Sequence, residues 1–408
     1  MYSLLNGLSV VECASFIAAP SCSLHLLQMG AEVIRIDPIG GGPDFHRWPR
    51  GPVAGASLYW EGLNKGKLSV AVDMASPEGR ELVQQLITAP GDGAGLFVTN
   101  FPAEGFLSHE RLRARRADLI TVRVMGWPDG TPALDYTVNA AIGVPLMTGP
   151  VDAQGPVNHV LPAWDLLTGA YAAFALLAAE RQRRATGAGQ ELRVPLSDVA
   201  IASLAHMGQI AEVLQQGDRP RVGNSLFGAF GRDFATADGD RLMVVAITPR
   251  QWQGLLEALN LQAAVEGIEK SLGVSFATDE GQRYAHGALL QPLVEAAMAR
   301  RTTQDLAQAF DARGACWAPY QSLRQAIEND GRLVASNPLF STVTHPSGTP
   351  YPTPGAMATL PQLPRQAAGA APRLGQHTDQ VLAQRLGLSA AEVGRLHDRG
   401  RIASDRRT

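Results

Sequence analysis

Strand-like and helix-like segments alternate over the first 125 residues, and this alternation constrains the fold more than any other feature of the chain. A helix is predicted from about Pro20 to Met29, and Ser76 followed by Pro77 is typical of a second helix start. Strands that alternate with helices pair in parallel through right-handed crossovers. We therefore expect an α/β fold with a Rossmann-like sheet. Short apolar runs place its strands at residues 8–12, 32–37, 68–72, 96–99 and 119–124.

The second half of the chain predicts a smaller α/β unit. Ser197 is expected to cap a helix that runs towards Leu214, and the polar, turn-rich stretch 216–220 indicates a domain boundary. The Pro-rich stretch 346–372 is typical of a linker, and Ser389 with Glu392 predicts a capping box for the last helix. The remaining elements are helices at 170–184, 252–259, 283–309 and 322–329, and strands at 192–195 and 242–247.

Charge and hydrophobic content indicate a globular enzyme and argue against a nucleic-acid-binding protein. The 408 residues include 35 basic and 38 acidic ones, so no excess of positive charge is available to neutralise phosphates. Hydrophobic residues make up 45% of the chain, which is enough for a large core. No signal-peptide pattern begins the sequence, and its longest apolar run, 170–179, is too short to cross a bilayer. We expect a soluble, cytoplasmic enzyme that binds neither nucleic acid nor a membrane.

Motifs for bound cofactors and metals are missing from the sequence. Cys13, Cys22 and Cys316 are too scattered for a disulfide framework or a metal site. The first predicted strand is not followed by a GxGxxG turn, and no P-loop, HExxH or GxSxG motif occurs. We therefore expect no metal and no tightly bound cofactor.

Lysine is rare, yet two of the three lysines lie together. Lys65 and Lys67 flank a glycine, and Lys270 is the third, so the other 32 of the 35 basic residues are arginine. Because an ammonium is not interchangeable with a guanidinium, this pair is a candidate anion contact. The alternative is an ordinary solvated turn.

Asp165 is the candidate nucleophile. It precedes the long apolar helix, where backbone amides and the positive end of the helix dipole are expected to keep its carboxylate ionised. A carboxylate can attack an activated acyl carbon and form an anhydride. The alternative is a structural role as the N-cap of that helix.

The chain resembles the class III CoA-transferases, the family of formyl-CoA transferase, carnitine CoA-transferase and α-methylacyl-CoA racemase. The matching stretches occur in one order over nearly the whole length: LNGLSVVECASFIAAPSCSLHLLQMGAEVIRIDPIGGG, LNKGKLSVAVDMASPEGRELV, the step from Asn100 to Phe101, WDLLTG, ATGAGQELRV and APRLGQHTDQVL. The resemblance implies a large Rossmann-like domain built from both termini, a small α/β domain and an interlocked homodimer. Its domains are then a CoA-binding and catalytic domain in residues 1–215, a small domain in 216–335, and a linker with a C-terminal return in 336–408.

The resemblance also implies roles for individual residues. The nucleophile of the family falls on Asp165, and CoA enters as part of the substrate. Lys65 and Lys67 lie just before one of the implied CoA-binding stretches, which fits their assignment as anion contacts. The family's CoA contacts fall on Phe16, Ile17, Ala18, Ala19, Val72, Asp73, Met74, Ala75, Asn100 and Phe101.

The chain departs from the family pattern at three positions. Pro38 and Ser108 stand where formyl-CoA transferase has arginine contacts, so other cations, such as Arg111 or Arg113, are expected to hold the CoA phosphates. Leu134 stands where the racemases carry a histidine base. Racemisation needs two placed acid/base groups, so this leucine disfavours it.

The stretches FHRWP, VTNFPA, TGPVDAQGPVNHVLPAWD, FGAFGRDF and GLSAAEVGRLHDRG resemble the members that move CoA between the two carboxylates of mesaconate. The free carboxylate of such a substrate needs a cation, and Arg47 and Arg232 are the candidates. Each of them could instead form a structural salt bridge. The alternative functions are intermolecular CoA transfer through the same Asp165, racemisation, and CoA binding without catalysis.

Overall fold

A computed structural model describes residues 1–52 and 56–405 of the chain. It divides the chain into two compact units. Unit 1 comprises Met1–Ile142, His159–Leu214 and Gly331–Thr408, and unit 2 comprises Gly143–Asn158 and Gln215–Asp330. The predicted boundaries, 215/216 and 335/336, lie within five residues of the last two divisions. The sequence analysis did not predict that residues 143–158 belong to unit 2.

The described residues form twelve strands. They are β1 (Ser9–Cys13), β2 (Glu32–Pro38), β3 (Leu68–Val72), β4 (Leu96–Thr99), β5 (Ile120–Met125), β6 (Glu191–Pro195), β7 (Phe230–Ala235), β8 (Arg241–Ala246), β9 (Cys316–Pro319), β10 (Phe340–Thr344), β11 (Pro350–Pro354) and β12 (Ile402–Ala403).

The helices lie between and after these strands. They are α1 (Ala18–Gln28), α2 (Leu58–Asn64), α3 (Pro77–Ile87), α4 (His109–Arg113), α5 (Asp135–Ala141), α6 (Val144–Met147), α7 (Ala163–Thr186), α8 (Leu196–His206), α9 (Gln209–Gln216), α10 (Pro249–Leu259), α11 (Gln262–Leu272), α12 (Glu280–Ala285), α13 (Gly287–Met298), α14 (Thr303–Arg313), α15 (Leu323–Asn329), α16 (Thr378–Leu386) and α17 (Ala390–Asp398). Within the described ranges, no helix has the length and apolar composition needed to cross a membrane.

Unit 1 is built on a seven-stranded sheet in the order β12-β3-β2-β1-β4-β5-β6. Every neighbouring pair is parallel except β12 with β3. The inner strands are almost continuously buried, because helices cover both faces of the sheet. The predicted parallel α/β sheet is therefore present.

One face of this sheet is covered by α1 and α7, and the other by α3, α16 and α17. The two helices of the first face approach closely at Gly169. A Cβ at that position would lie 2.0 Å from Ser21 Oγ and 2.6 Å from the carbonyl oxygen of Ala18. Only glycine allows this contact, which sets the start of α7 beside the start of α1.

Two of the predicted helix caps are present and one is wrong. Ser76 accepts a hydrogen bond from Gly79 N, and Ser389 with Glu392 forms the expected capping box. Ser197 is not a cap, because α8 already begins at Leu196. The Pro-rich stretch predicted to be a linker contains β11, which pairs antiparallel with β10.

Unit 2 has its own antiparallel sheet, β7-β8-β9, packed against helices. Its core contains Phe230 and Phe234 from β7, Trp252 and Leu255 from α10, and Phe310 from α14. The three cysteines are free thiols, two in unit 1 and one in unit 2.

Candidate active site

A cavity of about 420 Å³ opens in unit 1 where the chain order of the sheet reverses. From β1 the chain continues to β2 on one side, whereas from the neighbouring β4 it continues to β5 on the other side. Such a switch point is the usual ligand site of open parallel α/β sheets. The cavity is lined by residues that follow β1, β4 and β5 and by the first turn of α7; those that matter below are Phe16, Ile17, Ala18, Asn100, Phe101, Arg123, Leu134, Asp165 and Arg193.

The loops after β1 and β4 are tied to each other at the cavity wall. Ser15 N donates to Asn100 Oδ1 at 3.1 Å, and Asn100 Nδ2 donates to the Ser15 carbonyl oxygen at 2.8 Å. Phe16 has a φ of 68°, a left-handed conformation that is rare outside glycine. Its backbone N–H donates to Asp44 Oδ2 at 3.0 Å, which holds the strained residue in place.

Asp44 is in turn part of a buried ion cluster, which we define as Glu12, Arg35, Asp37, Asp44 and Lys67. The Arg35 guanidinium contacts Glu12 at 2.9 Å, Asp37 at 2.9 Å and Asp44 at 3.2 Å. Lys67 Nζ lies 2.7 Å from Glu12 Oε2. Every member is buried, so these charges depend on one another for solvation. The cluster therefore fixes the loop that carries Phe16.

The expectation that Lys65 and Lys67 are free to meet CoA is corrected by this arrangement. Lys67 is 1% exposed and bound within the cluster. Lys65 is 6% exposed, and its Nζ donates to the Gly62 carbonyl oxygen at 2.5 Å. Burial, with Lys67 nearby, lowers the pKa of Lys65 to about 8. Neither lysine lines the cavity.

Five of the predicted CoA contacts line the cavity: Phe16, Ile17, Ala18, Asn100 and Phe101. Ala19 is fully buried in the core, and the stretch Val72, Asp73, Met74 and Ala75 lies outside the cavity wall. The role of that stretch stays a prediction.

Asp165 lies in the first turn of α7 and lines the cavity. Its side chain is half-buried, and no hydrogen bond to its carboxylate is made within residues 1–52 and 56–405. The structural alternative, an N-cap role for Asp165, is wrong, because the amides at the start of the helix have another acceptor. Trp164 N and Asp165 N donate to Asp135 Oδ2 at 2.7 and 3.1 Å.

Asp135 thus caps α7 from the beginning of α5. It is 1% exposed, and its other oxygen lies 2.6 Å from His159 Nε2. Burial and the neighbouring charge of Asp135 raise the pKa of Asp165 to about 7, and Arg47 partly opposes this rise. The expectation that the helix start keeps the Asp165 carboxylate ionised is therefore corrected: near neutral pH roughly half of it is protonated.

Arg47 is the predicted cation that the structure brings near Asp165. Its guanidinium lies over the rings of Phe16 and Tyr59, at 5.6 and 5.3 Å from their centroids. Burial raises the pKa of the Tyr59 phenol; Arg47 opposes the rise and Asp165 adds to it. The Tyr59 hydroxyl is buried next to the Arg47 guanidinium. Sequence analysis missed Tyr59, because nothing in the local pattern separates it from a core aromatic residue.

Two further arginines contact the cavity. Arg123 is 1% exposed and donates to the carbonyl oxygens of Phe101 and Pro102 at 2.7 and 2.9 Å, which orders the loop after β4. Arg193 pairs with Glu191 at 2.9 Å and is largely exposed, so it offers a cation to an anionic ligand. The residues expected in that role, Arg111 and Arg113, do not line the cavity.

The remaining predicted residues are placed as follows. Arg232 lies on β7 in unit 2, where its Nη1 donates to Gln291 Oε1 at 3.0 Å. Leu134 lines the cavity and presents an apolar side chain to it. No group of three or more His, Cys, Asp or Glu residues able to hold a metal ion occurs in the described ranges.

Comparison with known sequences identifies the family. A sequence model of CoA-transferase family III matches residues 5–378. The chain belongs to CoA-transferase family III. The resemblance found in the sequence motifs is thereby confirmed.

Individual members of family III align over nearly the full chain. The 2-methylfumaryl-CoA isomerase of Chloroflexus aurantiacus is 49% identical over 404 residues, which cover 99% of this chain and 98% of that protein. The succinate–glutarate CoA-transferase of Agrobacterium fabrum is 28% identical and covers 93% of this chain and 95% of its own. A CaiB/BaiF family protein from Brucella suis has the same fold, with a TM-score of 0.76 at 24% identity over 94% of this chain and 100% of that one.

Proposed function

We propose that this family III transferase is a 2-methylfumaryl-CoA isomerase, which moves CoA between the C1 and C4 carboxylates of mesaconate (2-methylfumarate). The 49% identity with the Chloroflexus enzyme over the full chain supports this assignment. The observation at the site that carries it is Asp165, a carboxylate without a hydrogen-bond donor that faces a cavity beside a cation. Such a group is free to attack an acyl carbon.

The first half of the reaction transfers CoA to the protein. The Asp165 carboxylate attacks the C1 thioester carbon, which forms an aspartyl–mesaconyl anhydride and releases the CoA thiolate. The thiolate then attacks the Asp165 carbonyl carbon of the anhydride. This step forms an aspartyl-CoA thioester and frees mesaconate, with both of its carboxylates ionised.

The second half uses the other end of mesaconate. Its C4 carboxylate attacks the aspartyl thioester, which regenerates an anhydride and the CoA thiolate. The thiolate attacks the C4 acyl carbon, forms the new thioester and returns Asp165 as a carboxylate. Because a pKa of about 7 leaves roughly half of Asp165 ionised at neutral pH, the nucleophilic form is available without a separate base.

The free carboxylate of the substrate is assigned to Arg47. A guanidinium is suited to a carboxylate, and this one is close enough to Asp165 to lower its pKa. The Tyr59 hydroxyl, buried beside Arg47, is a second candidate donor. Arg232 stays a second candidate for this role.

CoA enters the reaction as part of the acyl-CoA substrate, and we propose no tightly bound cofactor. The loops after β1 and β4 form the side of the cavity that is proposed to bind CoA. Arg193 is the proposed cation for a phosphate group of CoA. Leu134 supports transfer over racemisation, since it offers no proton donor or acceptor at the position where racemases have histidine.

We propose that the protein is a cytoplasmic homodimer. Unit 1 exposes several large apolar side chains on its helices. They are Leu167, Tyr171 and Phe174 on α7, Met207 at the end of α8 and Leu214 on α9. Phe174 is 65% exposed and Leu214 82%. An apolar surface of this kind is typical of a protein interface, and a second copy of the chain is the proposed occupant. Light scattering should give twice the mass of the chain.

The nucleophile is tested by Asp165→Ala. The variant should lose conversion of 2-methylfumaryl-CoA to 3-methylfumaryl-CoA and keep binding of the ester. Asp198→Asn is the matched control, because Asp198 is an exposed carboxylate in the first turn of α8 and does not line the cavity. Hydroxylamine added with substrate should inactivate the wild type and leave a hydroxamate at Asp165. Substantial activity in Asp165→Ala would rule out the covalent route.

Isotope labelling separates intramolecular from intermolecular transfer. A closed site keeps the released mesaconate near the aspartyl thioester, so labelled free mesaconate should scarcely enter the product ester. Succinate and formate should not accept CoA. Rapid labelling, or efficient transfer to an added acid, would instead identify an intermolecular CoA-transferase.

A further inference from the structure

The proposed mechanism uses Asp165 but leaves the buried residue beside it without a catalytic role. Asp135 Oδ2 accepts hydrogen bonds from the backbone N–H groups of Trp164 and Asp165 in the first turn of α7. Its other oxygen, Oδ1, is hydrogen-bonded to His159 Nε2. A second carboxylate so close to the nucleophile opposes its ionisation. The Asp135 carboxylate thus makes three hydrogen bonds, two to the start of α7 and one to His159.

His159 is itself held by neighbouring rings. Its imidazole meets Tyr136 edge-on, with centroids 5.6 Å apart, and lies 6.2 Å from Trp164 at a tilt of 48°. Trp164 Nε1 donates to Asn139 Oδ1 at 3.0 Å, which orients the indole. The ring of His159 therefore keeps its Nε2 directed at Asp135.

We propose that His159 is a positioning residue for the transfer reaction: acting through Asp135, it holds the first turn of α7 and draws negative charge away from Asp165, so that Asp165 ionises for attack. Its part in catalysis rests on the proposed function. The ionisation of Asp165, in contrast, is a property of the free protein and can be measured without a substrate.

The charged groups around Asp165 set the sign of each change. Asp135 from α5 opposes its ionisation, and Arg47, which precedes α2, favours it. Tyr59 of α2 also faces Asp165, while α1 presents the uncharged Ala18 and Ser21 to α7. Removing the donor at His159 leaves the Asp135 charge less compensated, so Asp165 should ionise less readily. Removing the Asp135 charge should have the opposite effect.

The test titrates Asp165 in the free protein by carbon NMR, with aspartate side-chain carboxyls labelled. The Asp165 signal is assigned by its absence from Asp165→Asn. His159→Leu should raise the pKa of Asp165 by roughly one unit, and Asp135→Asn should lower it by a similar amount. His159→Gln keeps an N–H donor and should remain near the wild-type value.

Each measurement has a result that would overturn the proposal. An Asp165 pKa that is unchanged in His159→Leu overturns the proposal. If that variant does not fold, Asp135→Asn decides, and an unchanged or raised pKa there overturns the proposal. In turnover, the acid limb of the kcat/KM profile should move in the same directions, with kcat of His159→Leu reduced and KM unchanged. Expected pKa shifts in a protein that does not isomerise 2-methylfumaryl-CoA would refute the proposed function and leave the role of His159 in Asp165 ionisation intact.

Discussion

Replacing Asp165 by asparagine should stabilise the protein at alkaline pH more than at acid pH. Burial, aided by Asp135, raises the pKa of Asp165 from 3.8 to about 7 in the folded protein. The folded state therefore binds more protons than the unfolded chain between about pH 4 and 7. Stability consequently falls as pH rises through that window and levels off above it. Asparagine does not titrate, so Asp165→Asn lacks this loss.

The size of the effect follows from the two pKa values. With a pKa of 3.8 in the unfolded chain and about 7 in the fold, the wild type loses about 2.5 kcal/mol between pH 5 and pH 8 through this group. Asp165 is only half-buried, so water and counter-ions weaken the interaction. We therefore expect about 1–2 kcal/mol.

Urea unfolding of both proteins at pH 5 and pH 8 measures this difference. The unfolding free energy of Asp165→Asn minus that of the wild type should be about 1–2 kcal/mol larger at pH 8 than at pH 5. Asp198→Asn makes the same charge change at an exposed position in the first turn of α8 and is the matched control. A difference for Asp165→Asn that is the same at pH 5 and pH 8 would refute the reasoning.

Three further predictions concern charges around the cavity. Arg47→Met should lower kcat/KM for the dicarboxylic ester about 10- to 150-fold, because it removes a charge-assisted hydrogen bond to the substrate. Steady-state kinetics with a monocarboxylic ester should show no comparable loss. Arg193→Gln should raise KM for CoA esters about fivefold, whereas Arg113→Gln, outside the cavity, should not; equal effects would contradict a phosphate contact. Glu12→Gln should cost about 3–5 kcal/mol of stability in urea, because it leaves buried cations uncompensated, against about 1 kcal/mol or less for Glu81→Gln in an exposed pair.

Most elements of the parallel sheet could be predicted, because their signals are local. The strand at 68–72 has the predicted bounds, and Ser76 caps the helix that follows it. The strands β7 and β11 were missed because their local sequence patterns are not typical of strands. Arg232 and Asp233 interrupt the apolar pattern of β7, and the prolines of β11 resemble a linker. Each of them pairs with its neighbour in the chain, β7 with β8 and β11 with β10, and this pairing is not visible in the strand's own residue pattern.

The position of the nucleophile could be inferred from its motif, but not its ionisation. The pKa of Asp165 depends on its burial and on Asp135, which is 30 residues earlier and comes close only in the fold. Lys67 shows the same limit. Its charge is evident in the sequence, whereas its burial depends on Glu12, 55 residues earlier, which occupies the ammonium.

The three-part composition of unit 1 has a consequence for synthesis on the ribosome. One face of the sheet is covered in part by Val381 and Leu382 of α16 and by Val393 and Leu396 of α17, two helices that follow unit 2 in the chain and are translated after it. Until they emerge, a nascent chain with its sheet already paired presents that apolar face to solvent while unit 2 is being made. The growing polypeptide therefore needs a chaperone or delayed sheet formation to avoid aggregation, and fragments that stop before residue 378 should be insoluble.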